Sequence, residues 1–167
     1  MSLVESKILS LEALKERLVP RTGTLVHCHG CFDFLHVGHM HHFEFAKSLG
    51  DTLLVSLNHD NFFPDKGEGR PFFTHELRAR ALAYLQVVDY VLVYAGFLPD
   101  QIFQTLKPDI YVKGIEYHPE RYPKPIPEEA LIAPHGGKVV YGPEDCIFSS
   151  SKIINNLKQS FAKENNT

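Results

Sequence analysis

Two histidines, His36 and His39, flank Val37-Gly38 where the chain changes character. An apolar run, Leu25 to Cys28, comes just before them, and a helix-like run follows to Leu49. Imidazoles three residues apart at a helix start point to one side. They can bind a metal, exchange protons or donate hydrogen bonds to phosphate. The setting favours the last, because the free N–H groups and positive dipole end of a helix start attract anions. The stretch therefore reads as the phosphate corner of a nucleotide site.

Other residues with chemistry fall into three groups. Lys66-Gly67-Glu68-Gly69-Arg70-Pro71, followed by Arg78, forms a cationic loop suited to negative charge that develops on leaving oxygens. Arg78 and Arg80 are two apart, so one is expected toward the site and the other toward solvent. Lys113-Gly114-Ile115-Glu116-Tyr117 stands at the end of a strand, where ligands are met. Ser149, Ser150 and Ser151 precede the last helix, where one hydroxyl suffices for a cap and three can help hold a phosphate. The neighbouring His27, His29, His41 and His42 do not make a zinc pattern, which needs paired ligands at two spacings. His27 reads as a hydrogen-bonded core histidine, His41 and His42 as solvated helix surface, and no metal-ligating set is expected. Cys28-x-x-Cys31 reads as one core and one loop cysteine, since three cysteines in all argue against a disulfide framework.

The elements that must position these residues follow from periodicity and punctuation. Ile8, Leu11, Leu14 and Leu18 predict a lead-in helix over 4–18, closed by Pro20 and Gly23. Strands are expected over 24–28, 52–57, 90–94, 109–113 and 138–141. Helices are expected from Val37 to Gly50, from an N-cap at Thr74 to about Gln86, from Pro99 to Lys107, over 128–133, and from about 149 onward. Met40, Phe43 and Ala46 share the face of the first of these that meets the sheet. Strands alternating with helices predict an α/β fold, a Rossmann-like doubly wound parallel five-stranded sheet with helices on both faces. Such a sheet binds its ligand beyond the carboxyl ends of the strands, and the loops after the first strand, after the fourth and before the last helix all open on that edge. The organisation expected is a lead-in segment over 1–23, one domain over 24–160 and a polar tail over 161–167.

With 167 residues, 44% hydrophobic and 22% charged, the composition excludes a disordered chain. A net charge of −3 gives no general affinity for nucleic acid. No apolar stretch reaches membrane-spanning length and no signal-peptide pattern opens the chain, so no membrane partner and a cytoplasmic location are expected.

Together these segments resemble the cytidylyltransferase-like nucleotidylyltransferases. Gly30-Cys31-Phe32-Asp33-Phe34-Leu35-His36-Val37-Gly38-His39 is similar to that family's signature, and Lys47-x-Leu49-Gly50-Asp51 to the segment after it. Arg70-Pro71, Glu76-x-Arg78, Val88-Asp89-x-Val91 and Lys107-Pro108-Asp109 follow in the family's order, over residues 24–157. Within the family the likeness is to sugar-phosphate adenylyltransferases that make ADP-heptose, whose Lys-Gly-Gly-Asp-Tyr stands here as Lys113-Gly114-Ile115-Glu116-Tyr117. The resemblance implies transfer of a nucleoside monophosphate from a triphosphate, ATP favoured, to a small phosphorylated acceptor with release of pyrophosphate. It implies His36, His39, Lys66 and Arg78 as catalytic residues. Gly30, Cys31, Phe32, Gly38, Lys113 and Ser149 to Ser151 are implied for the nucleotide, and Asp33, Arg70 and Glu116 for the acceptor. Magnesium is expected with the triphosphate, a homodimer by analogy with relatives, and a sugar kinase on a longer or separate polypeptide. The alternatives are a CTP-dependent enzyme acting on glycerol-3-phosphate or a phospho-amino-alcohol, and a non-catalytic nucleotide-binding module. A tRNA synthetase fragment would need a basic surface that this composition lacks.

Overall fold

The computed structural model describes residues 2–62 and 70–143. Five parallel strands form one sheet in the order β3-β2-β1-β4-β5, with β1 at Leu25–Gly30, β2 at Thr52–Asn58, β3 at Tyr90–Tyr94, β4 at Ile110–Lys113 and β5 at Lys138–Tyr141. Five α-helices are described, α1 at Leu11–Leu18, α2 at Val37–Ser48, α3 at His75–Ala83, α4 at Asp100–Leu106 and α5 at Pro127–Ile132. This is the α/β doubly wound sheet that the strand–helix alternation predicts.

The period of two along each strand divides the core. Val26, Cys28, Leu53, Val55 and Leu57 pack in one cluster with Phe43 and Ala46 of α2 and Ala79, Leu82 and Ala83 of α3. Leu25, Leu54 and Leu92 turn the other way, to Leu14 and Leu18 of α1 and Ile102 and Leu106 of α4. Phe103, Tyr111 and Ile132 make a third cluster under α5.

The lead-in segment departs from the expected single helix over 4–18. A 3-10 turn at Glu5–Lys7 ends at Ile8, which forms an isolated parallel bridge to Val91. Ser10 then caps α1, its hydroxyl accepting from the Ala13 N–H at 3.2 Å. A serine that can cap breaks an apolar period that otherwise reads as continuous. Beyond β2, a short 3-10 turn occupies Asp60–Phe62, and another fills Ile115–Tyr117 after β4.

The amino edge of the sheet is closed by three aspartates. Asp51 accepts from the Thr24 N–H, Asp89 from the Leu53 N–H and Asp109 from the Leu25 N–H, each at 2.7 Å. The carboxyl edge is different. β1 and β2 pair from Leu25↔Thr52 to Gly30↔Leu57, whereas β1 and β4 pair only at Val26↔Ile110 and His27↔Tyr111. The winding direction reverses at this β1–β4 junction, so the strands part there and the crevice opens at the switch point.

Candidate active site

His36 is the extended N-cap residue of α2, and Gly38 is buried in the first turn. The backbone N–H of His36 donates to Nδ1 of His39 at 3.4 Å. An accepting Nδ1 carries no proton, so the N–H of the His39 ring sits on Nε2. The two rings stack with centroids 3.8 Å apart. Burial lowers the pKa of His36, which keeps that ring neutral at pH 7. Its Nδ1 is buried and has no hydrogen-bond partner among the described residues. The corner thus gathers the two histidines at a helix start, with the ring proton of His39 on Nε2.

The loop that delivers them is tightly wound. Phe32 adopts φ of 49°, a left-handed conformation rare for an aromatic residue and characteristic of functional loops. Its ring packs 5.4 Å from His39 and 5.3 Å from Phe43. A Cβ at Gly30 would come within 2.9 Å of that ring, so the glycine is required by this close approach. Cys31 follows at the crevice edge, whereas Cys28 is buried in the core with its thiol pushed up by burial. The pair therefore matches the core-and-loop reading.

Arg78 differs from the expectation of a cation directed at leaving oxygens. It is 1% exposed. Nε donates to the Phe73 carbonyl at 3.0 Å, Nη1 to the Cys31 carbonyl at 2.5 Å, and Nη2 to the Asn58 carbonyl at 2.9 Å and to Asp60 Oδ1 at 2.6 Å. It ties α3 to the ends of β1 and β2, and in this arrangement it positions the motif loop. Burial opposes ionisation of Asp60, but hydrogen bonds from His75 and Arg78 outweigh it and hold its carboxyl below the usual range. Arg80, by contrast, is exposed.

Asp33 is the second anchor of this loop. It is 4% exposed and accepts from the Phe72 N–H at 2.8 Å, the Phe73 N–H at 3.1 Å and Arg70 Nε at 2.5 Å. It therefore fixes Arg70 and the start of α3 against the motif loop. Across the crevice, Lys113 pairs with Glu128, which is 4% exposed, and lies 4.6 Å from the centre of the Tyr117 ring. Glu116 is exposed on the adjoining turn. Lys66 and Ser149, Ser150 and Ser151 lie outside the described residues.

A polar chain beneath the loop is absent from the sequence reading. Asn58 Nδ2 donates to His29 Nε2 at 3.1 Å and to the Gly96 carbonyl at 2.9 Å. His29 Nδ1–H then donates to Ser56 Oγ at 2.8 Å, and the Ser56 hydroxyl to Nε2 of the buried His27 at 2.7 Å. Burial lowers the His29 pKa to about 4, with Lys113 adding to the effect, so this ring is neutral. The Cys31 thiol donates to Asn58 Oδ1 at 3.6 Å, which couples the chain to the motif loop. The period of two that places Ser56 and Asn58 on the face of His27 and His29 was the available signal. His42 also departs from its expected solvated surface: it is half-buried, its ring packs 5.9 Å from Phe43, and burial lowers its pKa to about 4. Among the described residues, Asp60, His75 and Glu76 have ligand atoms close enough to hold a metal ion. Both Asp60 oxygens already accept hydrogen bonds, from Arg78 and from His75.

A profile described as cytidylyltransferase-like matches residues 27–156. The chain is 47% identical over 112 residues to a protein of Helicobacter pylori strain J99 named bifunctional protein HldE, covering 66% of this chain and 24% of that protein. It is 40% identical over 139 residues to the protein of that name from Syntrophotalea carbinolica, covering 81% of this chain and 28% of the relative. The chain therefore spans about a quarter of the length of the curated relatives it matches. Among solved structures it is similar to a lipopolysaccharide core biosynthesis protein from Thermoplasma volcanium, with a TM-score of 0.58 and 27% identity over 73% of this chain and 98% of that one. Pantothenate synthetase from Thermus thermophilus, at a TM-score of 0.51 and 17% identity over 82% of this chain and 61% of its own, shares the fold.

Proposed function

The chain belongs to the cytidylyltransferase-like family, and on that premise we propose that it is a nucleotidylyltransferase that moves a nucleoside monophosphate, from ATP by preference, to a sugar-phosphate-type acceptor. An acceptor phosphate oxygen attacks the α-phosphorus of the triphosphate, the bond to the β-phosphate breaks, and pyrophosphate leaves. The acceptor is already anionic, so no proton need be removed from it. Catalysis is then positioning plus stabilisation of charge on the transferring phosphoryl group.

The observation that carries this reading is the stacked His36–His39 pair at the start of α2, beside the β1–β4 crevice. His39 presents Nε2–H to the phosphate oxygens, and the free N–H groups of the first turn add to it. Arg78 and Asp33 hold the loop that carries this pair. Lys66 and Ser149 to Ser151 are proposed for the phosphates from their sequence positions, and Lys113 for the nucleotide. The histidine corner offers imidazole nitrogens, whereas magnesium takes oxygen ligands and keeps most of its waters. Magnesium therefore fits as a companion of the triphosphate, where it neutralises phosphate charge.

The identity to proteins named bifunctional, and the quarter of their length that is spanned, support a sugar kinase on a longer or separate polypeptide. A homodimer and a cytoplasmic setting, where triphosphates are abundant, complete the proposal. No helix among the described residues is long and apolar enough to cross a membrane.

The test is diphosphate release across four triphosphates and a set of acceptors: hexose and heptose phosphates, glycerol-3-phosphate, phosphocholine and phosphoethanolamine. Release with ATP and a sugar phosphate is expected. Release with CTP and an open-chain acceptor moves the chain to that branch of the family, and no release with any pair makes it a binding module.

A further inference from the structure

Phe34 stands two residues before His36 on the motif loop, and Phe72 and Phe73 lead into α3. Their rings form a mutual trio, with centroids 5.3 Å apart for Phe34–Phe72, 5.3 Å for Phe34–Phe73 and 5.0 Å for Phe72–Phe73. Phe72 is 67% exposed and Phe73 36%. A single exposed phenylalanine is ordinary. Three in contact beside the motif loop make a surface, and this one is built rigidly. The buried Asp33 carboxylate takes the N–H groups of both Phe72 and Phe73, so the backbone that carries the exposed rings is pinned to the motif loop. The same carboxylate takes Arg70 Nε, and the Arg70 guanidinium lies 6.0 Å from the centre of the Phe34 ring. Its terminal amino groups have no further partner among the described residues.

We propose that Phe34, Phe72 and Phe73 form a platform for the ring of the acceptor sugar, with Arg70 beside it for the acceptor's oxygens. The inference rests on the transfer reading above and narrows its acceptor class. A pyranose has an apolar C–H face of about the area of one phenyl ring, and its hydroxyls and phosphate lie at the rim where a guanidinium meets them. Glycerol phosphate and the phospho-amino-alcohols have no such face. The platform stands on the β2–β3 flank of the loop because Phe72 and Phe73 lead into α3, which packs on β2 and β3. The crevice opens on the opposite flank, toward β4. The acceptor must reach the α-phosphorus from a side the nucleotide does not fill, and this flank is such a side.

The test is Phe72→Ala against Phe72→Tyr, with hexose and heptose phosphates as acceptors. Phe72→Ala is expected to raise the acceptor KM about tenfold, the factor that corresponds to loss of one aromatic face, without raising the KM for the triphosphate. Phe72→Tyr keeps the ring and is expected to restore the acceptor KM. An unchanged acceptor KM in Phe72→Ala overturns the platform, and a rise in the triphosphate KM instead makes it a nucleobase stack. Turnover by the wild type with open-chain acceptors alone overturns the platform and leaves nucleotidyl transfer standing. If the wild type releases diphosphate with no acceptor, the transfer reading fails and saturation-transfer NMR with the same sugar phosphates decides the platform. Saturation of the sugar ring protons that is lost in Phe72→Ala supports it. Saturation equal in both proteins, or absent from the wild type, overturns it.

Discussion

The two nitrogens of His39 have separate duties. Nδ1 accepts from the His36 backbone and so holds the helix start together, which puts the ring proton on Nε2, the atom proposed to meet phosphate. The division can be tested, because an asparagine amide overlays the Nδ1 position and a glutamine amide the Nε2 position. His39→Ala should lower turnover by about 10² or more, as loss of a charge-stabilising donor does. His39→Gln should retain more turnover than His39→Asn, and the reverse order would assign the working atom to Nδ1. Single-turnover assays at saturating triphosphate read this directly. The pair itself was legible, since H-x-G-H between a strand and a helix implies a phosphate corner. Its internal hydrogen bond was not, because spacing says that two rings share a side and nothing about which nitrogen faces which atom.

Among the elements, the link from α3 to the ends of β1 and β2 decides how well the motif loop is held. Arg78→Ala removes the donor to the Cys31 and Asn58 carbonyls and leaves Asp60 Oδ1 without its partner, with His75 still on Oδ2. A loss of about 3–5 kcal/mol in unfolding free energy is expected, measured by urea titration. Arg78→Lys should recover only part of it, since an ammonium cannot reproduce the planar fork. Unchanged stability with impaired triphosphate binding would return Arg78 to the role that its charge first suggested. The strand boundaries were largely readable from apolar runs and turn residues, and β3 and β5 fall where they were expected. The lead-in helix was misread because Ile8 keeps helical spacing with Leu11 while belonging, in space, to Val91. Some matches to the family pattern also proved architectural. Asp51, Asp89 and Asp109 each cap a strand start, a duty no linear pattern distinguishes from chemistry.

At the scale of the whole molecule, buried and half-buried histidines set the response to acid. His29 and His42 have pKa values lowered to about 4, against 6.5 for an accessible imidazole, because burial disfavours their charged form. The unfolded chain therefore binds more protons than the folded one between these limits. Stability is complete above about pH 6.5 and falls with acid, by up to about 1.4 kcal/mol per pH unit for each such ring, until about pH 4. His27, also lowered by burial, adds to the same trend. Melting temperature followed from pH 7.5 to 4.5 should drop throughout the lower half of that range, and a flat profile would mean that these rings are hydrated in solution. The core placement of His27 was legible in its strand position, but the burial of His42, expected on solvated surface, and the Asn58–His29–Ser56–His27 chain were not. The sheet order could be foreseen only as a class, because alternation predicts parallel strands but not where one ladder stops short. That stop sets how the protein meets its guest. With β1 and β4 joined only at Val26↔Ile110 and His27↔Tyr111, the sheet is zipped at its foot and splayed at its head, like a book bound near one end of its spine. A molecule lodged between the covers breaks no rung to enter, and by touching both it becomes the upper stitch of the binding.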